Sequence, residues 1–262
     1  QFTQLEYLLN TSKKANIPLP SLGLFGEAST GKTTSAKLLA EQMECPFLLL
    51  NSADVTMSNL NSKIARHFWT SLTELETTVT YNPNPFSNCF AFKTVKPCII
   101  LFDEAHELPK DVQTYLLSIM DNKGPLVDVT ENKDKTIDTS NISWIFATTD
   151  SSKLLYPLTT RLFPIIFDQY TADDIMDMIK LKYPNIEYGG LKYLANCSKL
   201  VPRVALRYAE QLTKMHPEGK VQVQQVESFI KGFLNMELNG IDGTDKRILL
   251  YLANNKKAVS PS

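Results

Sequence analysis

The chain has 262 residues, room for one large domain or two modest ones. With 43% apolar and 21% charged residues it has the composition of a globular protein with a core, which excludes disordered and collagen-like chains. The 27 basic residues almost balance the 28 acidic ones, leaving a net charge of −1, so a uniformly basic coat for nucleic acid is excluded and any such contact depends on local placement. No apolar run approaches the ~20 residues of a membrane helix, and Gln1-Phe2-Thr3-Gln4 does not open a signal peptide.

Taken in chain order, Ser21-Leu22-Gly23-Leu24-Phe25 predicts a short buried strand. A glycine-bearing turn follows, then a helix over Thr33–Met43 with Ala36, Leu39, Ala40 and Met43 at helical spacing. Phe47-Leu48-Leu49-Leu50 predicts a second strand, and Leu60, Ile64, Phe68 and Leu72 mark a helix. From Thr73 to Lys96 the pattern lapses into Thr, Asn and Pro, including Asn82-Pro83-Asn84-Pro85, and predicts a long loop or insertion. Cys98-Ile99-Ile100-Leu101-Phe102 is a continuous apolar run ending in two carboxylates, as expected of a central parallel strand.

Pro109 can open the next helix, with Val112, Leu116 and Ile119 facing inward. Two β-prone stretches within Leu126–Ile137, around the polar Glu131-Asn132-Lys133-Asp134, predict a hairpin. Trp144–Thr149 predicts another buried strand with a polar end. Beyond Pro164 the character turns helical: Thr171 with Asp174 makes a capping box, and helical patterns cover Leu191–Cys197, Pro202–Met215 and Val221–Leu234. The expectation is an α/β domain with a parallel sheet over 1–168, a small all-helical unit over 169–238, and a segment 239–262 that begins a further domain without completing it. Cys45, Cys89, Cys98 and Cys197 are widely spaced, and His67, His106 and His216 add no metal-ligand spacing, which favours reduced thiols over disulfides or zinc.

Chemistry concentrates first in Gly26-Glu27-Ala28-Ser29-Thr30-Gly31-Lys32-Thr33, a complete G-x-x-x-x-G-K-[ST] between a strand and a helix, with Thr34 continuing into the helix. Glycines let the loop wrap closely, backbone N–H groups point inward, and the helix N-terminus favours negative charge. Lys32 is expected to reach the β- and γ-phosphates of ATP, and Thr33 to offer its hydroxyl to Mg²⁺. A P-loop enzyme needs a second strand bearing carboxylates beside the loop. Asp103 is expected to hold Mg²⁺ through its water shell and Glu104 to orient or deprotonate the attacking water, although paired carboxylates there could also simply cap the next helix.

Gly26–Thr33 followed by Asp103-Glu104-Ala105-His106 resembles the AAA+ ATPases, and the later segments narrow the resemblance to the RuvB family of Holliday-junction branch-migration motors. It covers roughly residues 20 to 250. Ala147-Thr148-Thr149 resembles the family's sensor 1 strand end, with Thr149 the favoured sensor. Pro157-Leu158-Thr159-Thr160-Arg161-Leu162-Phe163 is similar to the stretch whose second arginine reaches a neighbouring subunit's γ-phosphate, which implies Arg161 in that role; on its own, Arg161 could be a carbonyl cap. Tyr170 matches a tyrosine bordering the nucleotide. Val201-Pro202-Arg203-Val204-Ala205 implies Arg203 as the sensor 2 arginine of a helical lid, and Asn239–Leu249 resembles the lead-in to a winged-helix DNA-binding domain.

The resemblance therefore implies a P-loop AAA+ fold with a helical lid, ATP and Mg²⁺ as ligands, a ring or spiral homo-oligomer such as a hexamer, and DNA as partner. It implies a cytoplasmic or nucleoid-associated enzyme, with no membrane. Thr159 departs from the family by replacing the first of two paired arginines. Leu126–Ile137 keeps only the position of a partner-contacting hairpin, so a protein partner there is a hypothesis. The runner-up is a clamp-loader or helicase-loader ATPase using the same site.

Overall fold

The structure, a computed structural model, describes residues 2–70, 77–81, 90–94, 97–122, 126–127 and 135–254. Leu72, the Asn82-Pro83-Asn84-Pro85 run, Cys89 and the Glu131–Asp134 turn lie outside the described residues. Contacts divide the chain into two units, Gln1–Asp168 and Gln169–Ser262, the second including the segment from 239 onward.

The first unit runs α1 (Phe2–Ala15), β1 (Leu22–Gly26), α2 (Lys32–Met43), β2 (Phe47–Asn51), α3 (Leu60–Thr70), β3 (Thr77–Tyr81), β4 (Phe90–Thr94) and β5 (Cys98–Asp103). It continues through α4 (Lys110–Asn122), β6 (Leu126–Val127), β7 (Lys135–Asp138), β8 (Ile142–Thr148), α5 (Tyr156–Thr159) and β9 (Phe163–Phe167). Five strands form a parallel sheet in the order β2-β5-β8-β1-β9. Strands β5 and β8 lie inside it and are buried almost from end to end, which is why they read as unbroken apolar runs.

The two-residue period of a strand splits β5 between two cores. Cys98, Ile100 and Phe102 face the layer holding Leu60, Ile64, Val112 and Leu116 of α3 and α4. Ile99 and Leu101 face the other, with Leu5 of α1 and Ala36 and Leu39 of α2. Phe102 stacks on Phe146 across β5 and β8, ring centroids 5.1 Å apart. Helices thus cover both faces of the sheet, and the ends of β1, β5 and β8 emerge together at its carboxyl edge, where such sheets bind ligands.

The sequence reading needs correction at two places here. Helix α1 was not expected, although Leu5, Leu8, Leu9 and Ser12 line one side of it, with Leu5 and Ser12 buried. The stretch expected as a loop from Thr73 to Lys96 contains β3 and β4, which pair antiparallel and join a second sheet of order β3-β4-β7-β6. β3 pairs with its neighbour in the chain, β4, while β4 also runs parallel to β7 more than forty residues further on. The carboxylate-bearing β5 does end beside the glycine loop as expected, although β8 lies between it and β1 in the sheet. Leu126–Ile137 does hold an antiparallel pair, Leu126 opposite Ile137 and Val127 opposite Thr136.

The second unit comprises α6 (Ala172–Lys182), α7 (Tyr188–Cys197), α8 (Pro202–Met215), α9 (Val223–Ser228) and α10 (Gly243–Asn254), with a π-helical turn at Phe229–Phe233. Ile175, Ile179, Leu191, Leu194, Ala205, Ala209, Leu212 and Val226 make its separate core. Thr171 and Asp174 form the expected reciprocal capping box at α6. The helix expected over Val221–Leu234 starts later, because Val221 bridges to Ile186 as a lone β pair.

Candidate active site

The glycine loop follows β1 and closes at α2, whose N-cap is Gly31 in the left-handed region at φ 94°. Ser29 is also left-handed, at φ 65°, so the loop reverses tightly and returns its backbone toward its own centre. Gly26 carries a steric demand of its own: a Cβ there would lie 2.4 Å from the carbonyl oxygen of Phe167 on β9. Glu27 and Ala28 sit exposed at the tip, and the Thr30 hydroxyl donates to the Glu27 carbonyl at 2.8 Å.

Lys32 is buried, and its ammonium lies inside the loop, donating to the carbonyls of Gly26 at 2.8 Å and Glu27 at 2.6 Å. Burial lowers its pKa, while the carboxylates of Glu104 and Asp103 oppose that shift. Asp103 at the end of β5 and Glu104 just past it thus both act on Lys32. The Thr33 hydroxyl lies 3.0 and 3.1 Å from the two Asp103 carboxylate oxygens, joining α2 to the end of β5. Thr34 is exposed on the next position of α2.

Glu104 follows β5 in a left-handed conformation, φ 50° and ψ 50°, uncommon for a side chain with a Cβ. That turn lifts its carboxylate out of the sheet, where it is exposed. Thr149, just past β8, brings its hydroxyl to 3.5 Å from Glu104 Oε2. Thr148 is buried and turns the other way, toward His106 at 3.0 Å. The structure thus gathers Lys32, Thr33, Asp103, Glu104 and Thr149 at one end of one sheet.

Arg161, just after α5, stands apart from that group. Its guanidinium forms a two-pronged ion pair with Asp121 at the end of α4, and its Nη1 donates to the Pro157 carbonyl at 2.7 Å. The carbonyl-cap reading is realised, alongside an exposed ion pair whose partner gave no signal forty residues earlier in the sequence. Gln113 was also missed: buried on α4, it donates to the Leu108 carbonyl and accepts from the Leu155 N–H, fixing the segment that leads to Arg161. Tyr170 and Arg203 belong to the second unit. Tyr170 packs half-buried against that unit's core, where burial and the nearby Asp174 raise its pKa, and Arg203 is exposed in the first turn of α8.

A hydroxyl and a carboxylate side by side are hard oxygen donors of the kind Mg²⁺ takes, and an ammonium inside a glycine loop suits phosphate. The residues present fit both groups. Among the described residues no cluster of three or more His, Cys, Asp or Glu side chains could hold a metal without such help, and no helix is long and apolar enough to cross a membrane. Cys45, Cys98 and Cys197 are free thiols, with burial pushing Cys45 up to about 11.

RuvB, a Holliday junction branch migration complex subunit of Phytoplasma mali, is 25% identical over 261 residues, spanning 95% of this chain and 70% of the relative. DNA polymerase III subunit gamma/tau of Mycoplasma genitalium is 27% identical over 227 residues, 80% of this chain and 34% of the relative. The solved Thermotoga maritima RuvB motor shares the fold at a TM-score of 0.68 and 21% identity, over 95% of this chain and 74% of that one. The profile of the AAA ATPases matches residues 22–170. That span covers more than half of the chain and carries the glycine loop, Asp103, Glu104 and the β8 terminus, and the chain belongs to the ATPase family associated with various cellular activities.

Proposed function

We propose that this ATPase is a RuvB-type DNA motor, coupling ATP hydrolysis between subunits of a homo-oligomer to movement on branched or duplex DNA. The observation that carries the reading is the convergence of Lys32, Thr33, Asp103 and Glu104 at the carboxyl edge of one sheet, in a chain whose RuvB relatives match nearly its whole length. Lys32 would leave its two loop carbonyls for the β- and γ-phosphates. Thr33 and Asp103 would hold Mg²⁺, which when bound neutralises charge developing on the phosphates. Glu104 takes the proton of the attacking water, with Thr149 fixing that water's position.

Arg161 supplies the remaining charge to a neighbour's γ-phosphate, giving up its exposed pair with Asp121 when subunits assemble. Arg203 serves as the lid's phosphate sensor. A cation in the first turn of α8 works against the helix dipole, so an anion there relieves the conflict. Tyr170 borders the nucleotide at the lid's start. The Leu126–Ile137 pair offers an edge for a protein partner, the segment from 239 begins the winged-helix-like domain, and a motor of this kind would work in the cytoplasm at the nucleoid.

Glu104→Gln tests the core of this reading. It should keep nucleotide binding in a fluorescent-ATP titration while turnover falls by about 10²-fold or more; normal turnover would remove Glu104 from the chemistry. DNA-stimulated ATPase assays then separate the two biological readings. Stimulation by four-way junctions over linear duplex supports the motor. The alternative, a clamp-loader or helicase-loader ATPase, predicts stimulation by primer-template together with a sliding clamp.

A further inference from the structure

Two residues after Glu104, the His106 ring lies between the ends of β5 and β8 with both nitrogens engaged. Nδ1 is 3.0 Å from Thr148 Oγ1 and 3.5 Å from Glu104 Oε2, and Nε2 is 3.1 Å from Glu107 Oε1. The ring is 13% exposed and Thr148 only 1%, so the contact between these two faces little competition from water. The Thr148 hydroxyl has a single proton, and it goes to the Asp150 carbonyl at 3.1 Å, while the same oxygen accepts from the Asp150 N–H at 3.0 Å. The ring is thus anchored on a hydroxyl that the backbone just past β8 itself holds, which fixes the ring's orientation and keeps it beside the Glu104 carboxylate.

We propose that His106 is a positioning residue for hydrolysis, tying the Glu104 carboxylate to the end of β8 so that Glu104 and Thr149 are presented to the attacking water as one rigid set. The proposal rests on Glu104 being the base. Glu104 needs such a tether because its carboxylate is exposed on a left-handed turn, with the Thr149 hydroxyl, just past β8, 3.5 Å away. An imidazole anchored on a buried hydroxyl supplies it. Displacing a reacting group by even about 1 Å costs on the order of 10²-fold in rate, so the effect should appear in kcat.

The test compares three replacements of His106 in the full chain, reading kcat, nucleotide Kd and thermal midpoint. Asparagine places an amide nitrogen close to the position of Nδ1, glutamine places one close to Nε2, and alanine has neither. His106→Ala and His106→Gln should lower kcat by about 10- to 100-fold with Kd unchanged, while His106→Asn should recover to within about threefold of wild type. Adding Thr148→Val to His106→Ala should cause no further loss of kcat, because the two act through one contact. Full kcat in His106→Ala, an asparagine variant no better than alanine, or additive losses with Thr148→Val would each overturn the proposal. If His106→Ala fails to fold, the asparagine–glutamine comparison decides. Glu104→Gln, run in parallel, separates the cases: normal turnover there sinks the base assignment itself, whereas a dead Glu104→Gln beside a fully active His106→Ala sinks only the tether.

Discussion

Glu104 holds a left-handed backbone that costs an ordinary residue about 1–2 kcal/mol, and glycine almost nothing. At most positions Gly is less stable than Ala, because it has more freedom to lose on folding. At 104 the order should invert. Glu104→Gly should be more stable than Glu104→Ala by about 1 kcal/mol in urea denaturation, with both inactive. An alanine variant equal to or more stable than glycine would show that the turn is not held in the folded protein. On the proposal that Glu104 handles the attacking water, strain of this kind is stability given up to aim a side chain. The sequence shows which residue bears the carboxylate, because an apolar run ending in Asp103-Glu104 is a local pattern. It does not show the backbone turn, which depends on the 3₁₀ segment Ala105–Glu107 folding back beneath it. The Arg161–Asp121 pair is hidden for a related reason: a charge partner forty residues away leaves no periodic trace.

Among the elements, α6 was legible down to its cap. The Thr171 hydroxyl accepts from the Asp174 N–H and the Asp174 carboxylate accepts from the Thr171 N–H, satisfying two donors that the helix end leaves open. Thr171→Ala should cost about 1 kcal/mol in stability. The bond from the Thr171 side chain, then that from its backbone, holds the Asp174 carboxyl below its ordinary 3.8. Because the folded value is the lower one, the carboxylate's contribution is complete above 3.8 and is lost as pH falls through the depressed value. Denaturation curves of wild type and Thr171→Ala should keep a constant gap from neutral pH down to about 5 and converge in stronger acid. A gap that widens in acid would contradict the box. The second sheet was illegible by contrast. Thr77–Tyr81 and Phe90–Thr94 are rich in β-formers but sit among Asn and Pro, and β7, the strand that pairs with β4, comes only after β5, α4 and β6. Pairing across such a distance is a tertiary decision that local composition does not encode.

At the scale of the whole molecule, the proposal that turnover needs two subunits has a consequence that no single variant tests. Lys32→Ala should be inactive because its own loop cannot hold phosphate, and Arg161→Ala because it cannot complete a neighbour's site. Each variant keeps what the other lacks. In a cyclic homo-oligomer assembled at random from equal amounts, a site is whole when an intact loop from an Arg161→Ala subunit faces an intact Arg161 from a Lys32→Ala subunit. Half the loops and half the arginines are intact, so about one quarter of wild-type ATPase activity should return on mixing. The recovery should follow subunit exchange and vanish on dilution below the assembly concentration. If Arg161 instead serves its own chain, mixed oligomers stay as inactive as the parent Lys32→Ala protein, since no chain then carries both parts; if it only pairs with Asp121 as a structural ion pair, Arg161→Ala is active by itself and mixing restores nothing. Arg161 is well placed for an exchange of partners: its side chain is 36% exposed and that of Asp121 42%, so the pair is open to water and held weakly enough to give way to a phosphate.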